Sequence, residues 1–177
     1  MLGGICMQCN KIEKYLQVID EMIAKGPFQA DWASLGQHKT PQWYRKGRFG
    51  LFIHWGVYSV PAYASEWYPR LMYLKSAPAY LHHKKVYGGV EKFPYKNFVP
   101  QFKAEKFNAD EWLDIFQKSG AKYIMPVGEH HDGFKMYKSS LNRWNAAEMG
   151  PHRDVLQELH EACDRHGIGF CTSSHRA

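Results

Sequence analysis

Arg48-Phe-Gly-Leu-Phe-Ile-His-Trp-Gly-Val-Tyr-Ser-Val-Pro61 is the stretch on which the fold turns. Phe49 to Trp55 is apolar and aromatic apart from His54 near its far end; Gly56 follows and Pro61 closes the segment. A run of that length between turn residues reads as a buried strand. Burying an imidazole without a partner is costly, so His54 at the strand's C-terminal end needs a hydrogen bond or a task.

Two later strands end in the same way. Asn108-Ala-Asp-Glu111 reads as a capped helix start, with acids in the first turn and Glu111 placed to reach back to the cap. Trp112, Ile115 and Phe116 form that helix's apolar face, and Gly120 is its stop. Ala121 to Val127 then reads as a second buried strand, with Pro126 arguing for a place close to its end. It runs into Gly128-Glu-His-His-Asp-Gly-Phe134. A helix is expected from Arg153 to His166, with Val155, Leu156, Leu159 and Cys163 facing in and Gly167 as the stop. A third strand, Ile168 to Thr172, leads into Ser173-Ser-His175.

The order is βαβαβ, which implies a parallel sheet. The strand-to-helix loops are long and carry His, Glu, Asp and Trp, whereas the helix-to-strand loops are very short. A TIM barrel distributes its chemistry in that way, at the C-terminal ends of the strands. An open doubly wound sheet gives the same alternation, but no G-x-G-x-x-G follows the first strand and no P-loop lysine motif is present. The expected fold class is therefore α/β: a partial (β/α)8 TIM-like barrel, its first three strands with two helices and a long first loop. Residues 1–26 are expected to form an N-terminal helical segment, with an amphipathic helix over Lys11–Ala24 ended by Gly26-Pro27, and 27–177 the barrel part. A short helix begins at Pro41. Residues 56–76 read as a long loop holding Ser65-Glu-Trp-Tyr-Pro69, and 77–107 hold two more candidate short helices.

Composition narrows the function classes. The net charge of +6 comes from scattered Lys and Arg, with no basic stripe and no nucleic-acid module, so no nucleic-acid partner is expected. No run of 18 apolar residues occurs, so no membrane insertion is expected. The N-terminus reads as too short for an intact secretory signal, with the remnant of one or a misplaced start as the alternatives. Cys6 and Cys9 form a C-x-x-C without a second knuckle, so Cys6, Cys9, Cys163 and Cys171 are read as free thiols.

Three readings compete for the histidines that end the strands: His54, His130 with His131, and His175. Converging imidazoles suit zinc, copper or iron, but neighbours such as His130 and His131 rarely chelate one ion, and no H-x-H or H-E-x-x-H is present. A carbohydrate needs dense hydrogen bonding and an apolar face to stack on; the imidazoles, Glu66 and Trp67 supply both. Each histidine alone also fits a purely structural role, a reading that weakens when every strand end repeats the feature.

Residues 49–61, Ser65-Glu-Trp-Tyr68, Gly120-Ala-Lys-Tyr123, His130-His-Asp-Gly-Phe134 and Gly150-Pro-His-Arg-Asp154 together resemble the alpha-L-fucosidases of glycoside hydrolase family 29, in order and spacing, over roughly residues 30–177. The resemblance implies a retaining glycosidase that removes terminal alpha-L-fucose, with a fucosylated oligosaccharide or glycoconjugate as substrate, no cofactor and no metal. It implies that His54, Glu66, Trp67, His130 and His131 contact the sugar, with Ser173 and His175 reshaping a wall where many relatives carry a tyrosine. None of these is the nucleophile. The family's attacking Asp is expected after a fourth strand, beyond Ala177, so no catalytic nucleophile is assigned here; Glu66 is considered as an acid/base contributor, and Asp132 as a residue that orients its loop. The 177-residue chain is expected to be inactive alone and to self-associate through an open barrel edge. A periplasmic, secreted or lysosomal setting follows from the resemblance. The alternatives are a non-catalytic fucose-binding remnant and a histidine-cluster metalloprotein.

Overall fold

The computed structural model describes residues 3–175, with side chains from residue 12 onward, so the Cys6 and Cys9 thiols lie outside the described residues. Two compact units divide at Lys46 and Gly47. The first carries helix α1 (Gly3–Lys25), longer at its start than the 11–24 expected, and the single turn α2 (Trp32–Leu35). Asp31 caps α2 by accepting the Ser34 N–H at 2.8 Å. Helix α3 (Gln42–Gly47) follows. Among the described residues, no helix is long and apolar enough to cross a membrane.

The second unit is built on a parallel sheet. Strand β1 (Gly50–Ile53) pairs with β2 (Tyr123–Glu129) from Gly50↔Tyr123 to Ile53↔Pro126. The third strand is not the continuous Ile168–Thr172 expected. It is split into β3 (Gly169–Phe170) and β4 (Ser173–Ser174), both parallel to β2. Pro126 also sits in mid-strand rather than near its end, and the two departures have one cause. Proline has no ladder donor to give, and β2 passes Pro126 in the gap between its β3 and β4 pairings. There the Pro126 carbonyl accepts the Thr172 hydroxyl at 3.1 Å instead.

Between β1 and β2 the chain is more ordered than a loop. A 3-10 turn at Val57–Ser59, helix α4 (Tyr68–Leu71), helix α5 (Pro78–Tyr87) and a 3-10 stretch at Tyr95–Gln101 enclose an aromatic cluster. His83 is fully buried in it. Its Nε2 faces the Phe93 carbonyl at 2.8 Å, so that nitrogen must carry the proton and donate. Nδ1 then accepts from the Tyr68 hydroxyl at 2.8 Å. Burial pushes the His83 pKa below its ordinary value. A histidine depressed in the folded state binds fewer protons than the unfolded chain as pH falls through the unfolded value near 6.5, so stability drops on acidification. Urea-unfolding midpoints are expected to fall from pH 7 to pH 5. The His83→Gln variant, whose amide donates to Phe93 but does not titrate, should lose less over that interval; an equal loss would remove His83 as a cause.

Two helices cover the sheet. Asn108 Oδ1 caps α6 (Ala109–Lys118) by accepting the N–H groups of Asp110 at 3.1 Å and Glu111 at 3.2 Å, and Glu111 returns the contact to Asn108 Nδ2. Helix α7 (Val155–His166) starts two residues later than expected because Asp154 is its cap, accepting Gln157 N–H at 3.0 Å. Gly120 and Gly167 take the left-handed conformation expected of helix stops. The Gly150–Asp154 motif proves structural. A Cβ on Gly150, at φ 66°, would stand 2.8 Å from the Phe102 carbonyl. Arg153 donates to the Phe107 carbonyl at 3.0 Å and pairs with Glu158. Cys163 is buried within α7, and burial lifts its thiol to about 11, so it stays protonated.

Candidate functional site

His54 follows β1, His130 follows β2 and His175 follows β4, so the parallel sheet delivers all three to its C-terminal edge. The His175 N–H donates to the Glu129 carbonyl at 2.9 Å, which fixes the last of them against β2. The ring centroids are 5.6 Å apart for His54 and His130, 5.4 Å for His54 and His175, and 4.7 Å for His130 and His175. One imidazole nitrogen from each lies within 4.8 Å of the others. The His131 ring stands at 89° to that of His130, with centroids 4.9 Å apart, and lies 5.8 Å from His175. It stacks on the indole of Trp67 at 4.5 Å and 23°, while Trp67 meets His130 edge-on. Ser173 takes part through its neighbour: its hydroxyl lies 3.0 Å from His175 Nε2.

Glu66 lines two adjoining cavities. One, of about 570 Å³, is walled by Trp67, His131, Tyr95 and Asp132; the other, of about 290 Å³, by His54 and Tyr58. All seven residues expected from the sequence are therefore at one edge of the sheet, Ser173 through its hydrogen bond to His175. Two tyrosines join them that sequence reasoning missed. Tyr95, 37 residues upstream of Asp132, donates its hydroxyl to Asp132 Oδ2 at 2.7 Å, and Asp132 Oδ1 accepts the Phe134 N–H at 2.9 Å. Asp132 thus ties the histidine turn to Tyr95 and to the Phe134 N–H. Tyr58 packs edge-on to His130 at 5.4 Å. The only signal for Tyr58 was its place four residues beyond His54; nothing local marked Tyr95.

Burial sets the electrostatics. Desolvation, then the neighbouring His175, His131 and His54, bring the His130 pKa down to about 4 against a weaker opposing pull from Glu66. Desolvation and the imidazoles of His54 and His131 lower His175 as well. His130 is therefore neutral at neutral pH, able to donate from one nitrogen and accept at the other. Desolvation and the charge of Asp132 raise Tyr58 and Tyr95, which stay as hydroxyls. Tyr58 Oη and His130 Nδ1 are buried without a hydrogen-bond partner in the protein, the two such side-chain atoms among the described residues, and both are at this site. Buried polar groups are nearly always satisfied, so two exceptions in one place set this site apart from the rest of the described residues.

The histidines, a stacked tryptophan and a carboxylate thus gather at the C-terminal edge of a parallel α/β sheet, the edge at which TIM-like folds place their chemistry. Residues 15–177 match the family model described as Alpha-L-fucosidase, and the chain belongs to that family. The tissue alpha-L-fucosidase of Rattus norvegicus is 39% identical over 153 residues, covering 84% of this chain and 32% of the rat protein. The plasma alpha-L-fucosidase of Homo sapiens is 43% identical over 136 residues, covering 76% of this chain and 29% of the human protein. The chain thus spans about a third of the length of these relatives. Among solved structures, the Thermotoga maritima alpha-fucosidase in complex with fucose superimposes with a TM-score of 0.78 at 39% identity, over 83% of this chain and 37% of that one.

Proposed function

We propose that residues 27–177 are the N-terminal part of a (β/α)8 barrel and supply the fucose-binding half of an alpha-L-fucosidase site. The observation that carries this reading is the convergence of His54, His130 and His175 beside the Trp67–His131 stack, with Glu66 on the shared wall. A terminal fucosyl residue presents three ring hydroxyls and one methyl group. Imidazoles that both donate and accept match the hydroxyls, and the aromatic wall matches the methyl-bearing face. Relatives named as fucosidases, one of them solved with fucose bound, support the same choice of sugar.

The reaction assigned to the whole enzyme is retaining hydrolysis, which needs two carboxyl groups about 5–5.5 Å apart. Asp132 is held by Tyr95 and by the Phe134 N–H, and Glu129 by Lys135. Glu66 lines both cavities and is the carboxylate in this chain placed to assist as acid or base. His54 and Trp67 hold the sugar; Tyr95 and Asp132 hold the loop that carries His130 and His131.

The test is calorimetric titration with L-fucose, with D-galactose as control. Saturable binding of fucose is expected. Replacing His54, an exposed side chain whose loss leaves no hole in the core, by alanine should weaken binding by about 1–3 kcal/mol, one hydrogen-bonding group's worth. Absence of saturable binding, or unchanged affinity in His54→Ala, would sink the reading.

A further inference from the structure

The three histidines that frame the sugar pocket also satisfy a different chemistry. In a tetrahedral zinc site with Zn–N near 2.0–2.1 Å, ligand nitrogens stand about 3.3 Å from one another. The nitrogens of His54, His130 and His175 already lie within 4.8 Å of each other. His130 is 2% exposed and fixed; His54 is exposed and His175 half-buried, so these two have the freedom to close the remaining distance. His130 Nδ1 is buried without a partner. Ser173 engages Nε2 of His175, which leaves the other nitrogen of that ring free of it, as outer hydrogen bonds do for ligating imidazoles. Glu66 lines a cavity together with His54 and acts electrostatically on both His130 and His175, so a negative charge stands near the cluster. Adjacency of His130 and His131 argued against chelation at the level of sequence. The structure meets that objection by drawing its third imidazole from the residue after β4, while His131 is stacked on Trp67.

We propose that His54, His130 and His175 form a three-imidazole site for a divalent late first-row transition-metal ion such as Zn²⁺, with a fourth position open to water. Three neutral nitrogens and one open position suit Zn²⁺, Co²⁺ or Cu²⁺ rather than the oxygen-seeking Mg²⁺ or Ca²⁺. The ion and the sugar use the same nitrogens, so each excludes the other. That exclusion rests on the fucose reading; the ion site itself does not. It makes the metal an inhibitor of the pocket rather than a cofactor.

Titration of the protein with Co²⁺, followed by visible absorption, and with Zn²⁺, followed by calorimetry, tests this. One ion per protein chain is expected, with the intense visible bands of four-coordinate Co²⁺. His54→Ala and His175→Ala should each weaken binding by about a hundredfold, while His160→Ala on α7, away from the cluster, should not. His54 is exposed, so its variant keeps the test open even if His175→Ala fails to fold. No saturable uptake, or uptake that both variants leave unchanged, overturns the site. L-fucose should release the bound Co²⁺ and bleach its bands. Fucose binding without histidine-dependent metal uptake overturns the ion site and leaves the sugar reading standing. Histidine-dependent uptake that fucose does not reverse establishes the ion site and removes the sugar from these nitrogens.

Discussion

Lys135→Met is expected to cost about 3–5 kcal/mol of folding stability, because it takes the positive partner out of a buried ion pair. Lys135 and Glu129 are 3% and 2% exposed. The ammonium lies 3.4 Å from Glu129 Oε1 and also donates to the Gly133 carbonyl at 3.2 Å. Methionine keeps the length and removes the charge, so Glu129 loses its counter-ion in a place that water does not reach. A loss that large takes up much of an ordinary domain's margin. The double variant Lys135→Met/Glu129→Leu removes both charges and is expected to recover most of it, since an apolar pair of similar volume is often as stable as a buried ion pair. Urea unfolding of the wild type, both single variants and the double variant gives the coupling energy directly. A loss below about 1 kcal/mol for Lys135→Met would show the pair to be solvated in solution. Function should follow: the Glu129 carbonyl receives the His175 N–H, so loosening the end of β2 displaces the third imidazole.

That ion pair also shows where sequence reading stops. The strands were legible because apolar runs bounded by glycine and proline are local patterns, and the helix ends because Asn108, Gly120 and Gly167 act on their own neighbours. Once the strands were parallel, convergence of His54, His130 and His175 followed from topology alone, since each stands at a C-terminal end. Contacts between distant segments were not legible. Nothing near Tyr95 announces a bond to Asp132, and the nearness of Tyr58 to His54 in the chain does not announce its packing against His130. The split of the last strand was hidden for the same reason. Its residues have ordinary strand character, and the interruption is imposed by Pro126 in the partner strand 46 residues earlier than Thr172. Lys135 and Glu129, six residues apart, read as ordinary charges until a turn folds them under one another.

The recognition surface depends in turn on a segment that carries no chemistry. Phe98→Ala is expected to cost about 3–5 kcal/mol, the usual range for emptying a fully buried phenylalanine site. Its ring lies 5.0 Å from those of Tyr87 and Phe93, 6.0 Å from Tyr95 and 6.1 Å from Tyr68 and His83. Two of these neighbours lead to the pocket. Tyr68 follows Trp67 directly in the chain, and Tyr95 holds Asp132, whose turn carries His130 and His131. A cavity at Phe98 therefore lets both walls drift, and fucose affinity should fall along with stability although residue 98 is remote from the sugar in sequence and in role. Phe98→Leu refills most of the volume and should restore most of both. Urea unfolding and fucose calorimetry on the two variants separate the effects. If Phe98→Ala lowers the unfolding midpoint yet binds fucose like the wild type, the pocket is held by the sheet alone, and the aromatic cluster between β1 and β2 stabilises the fold without shaping the site.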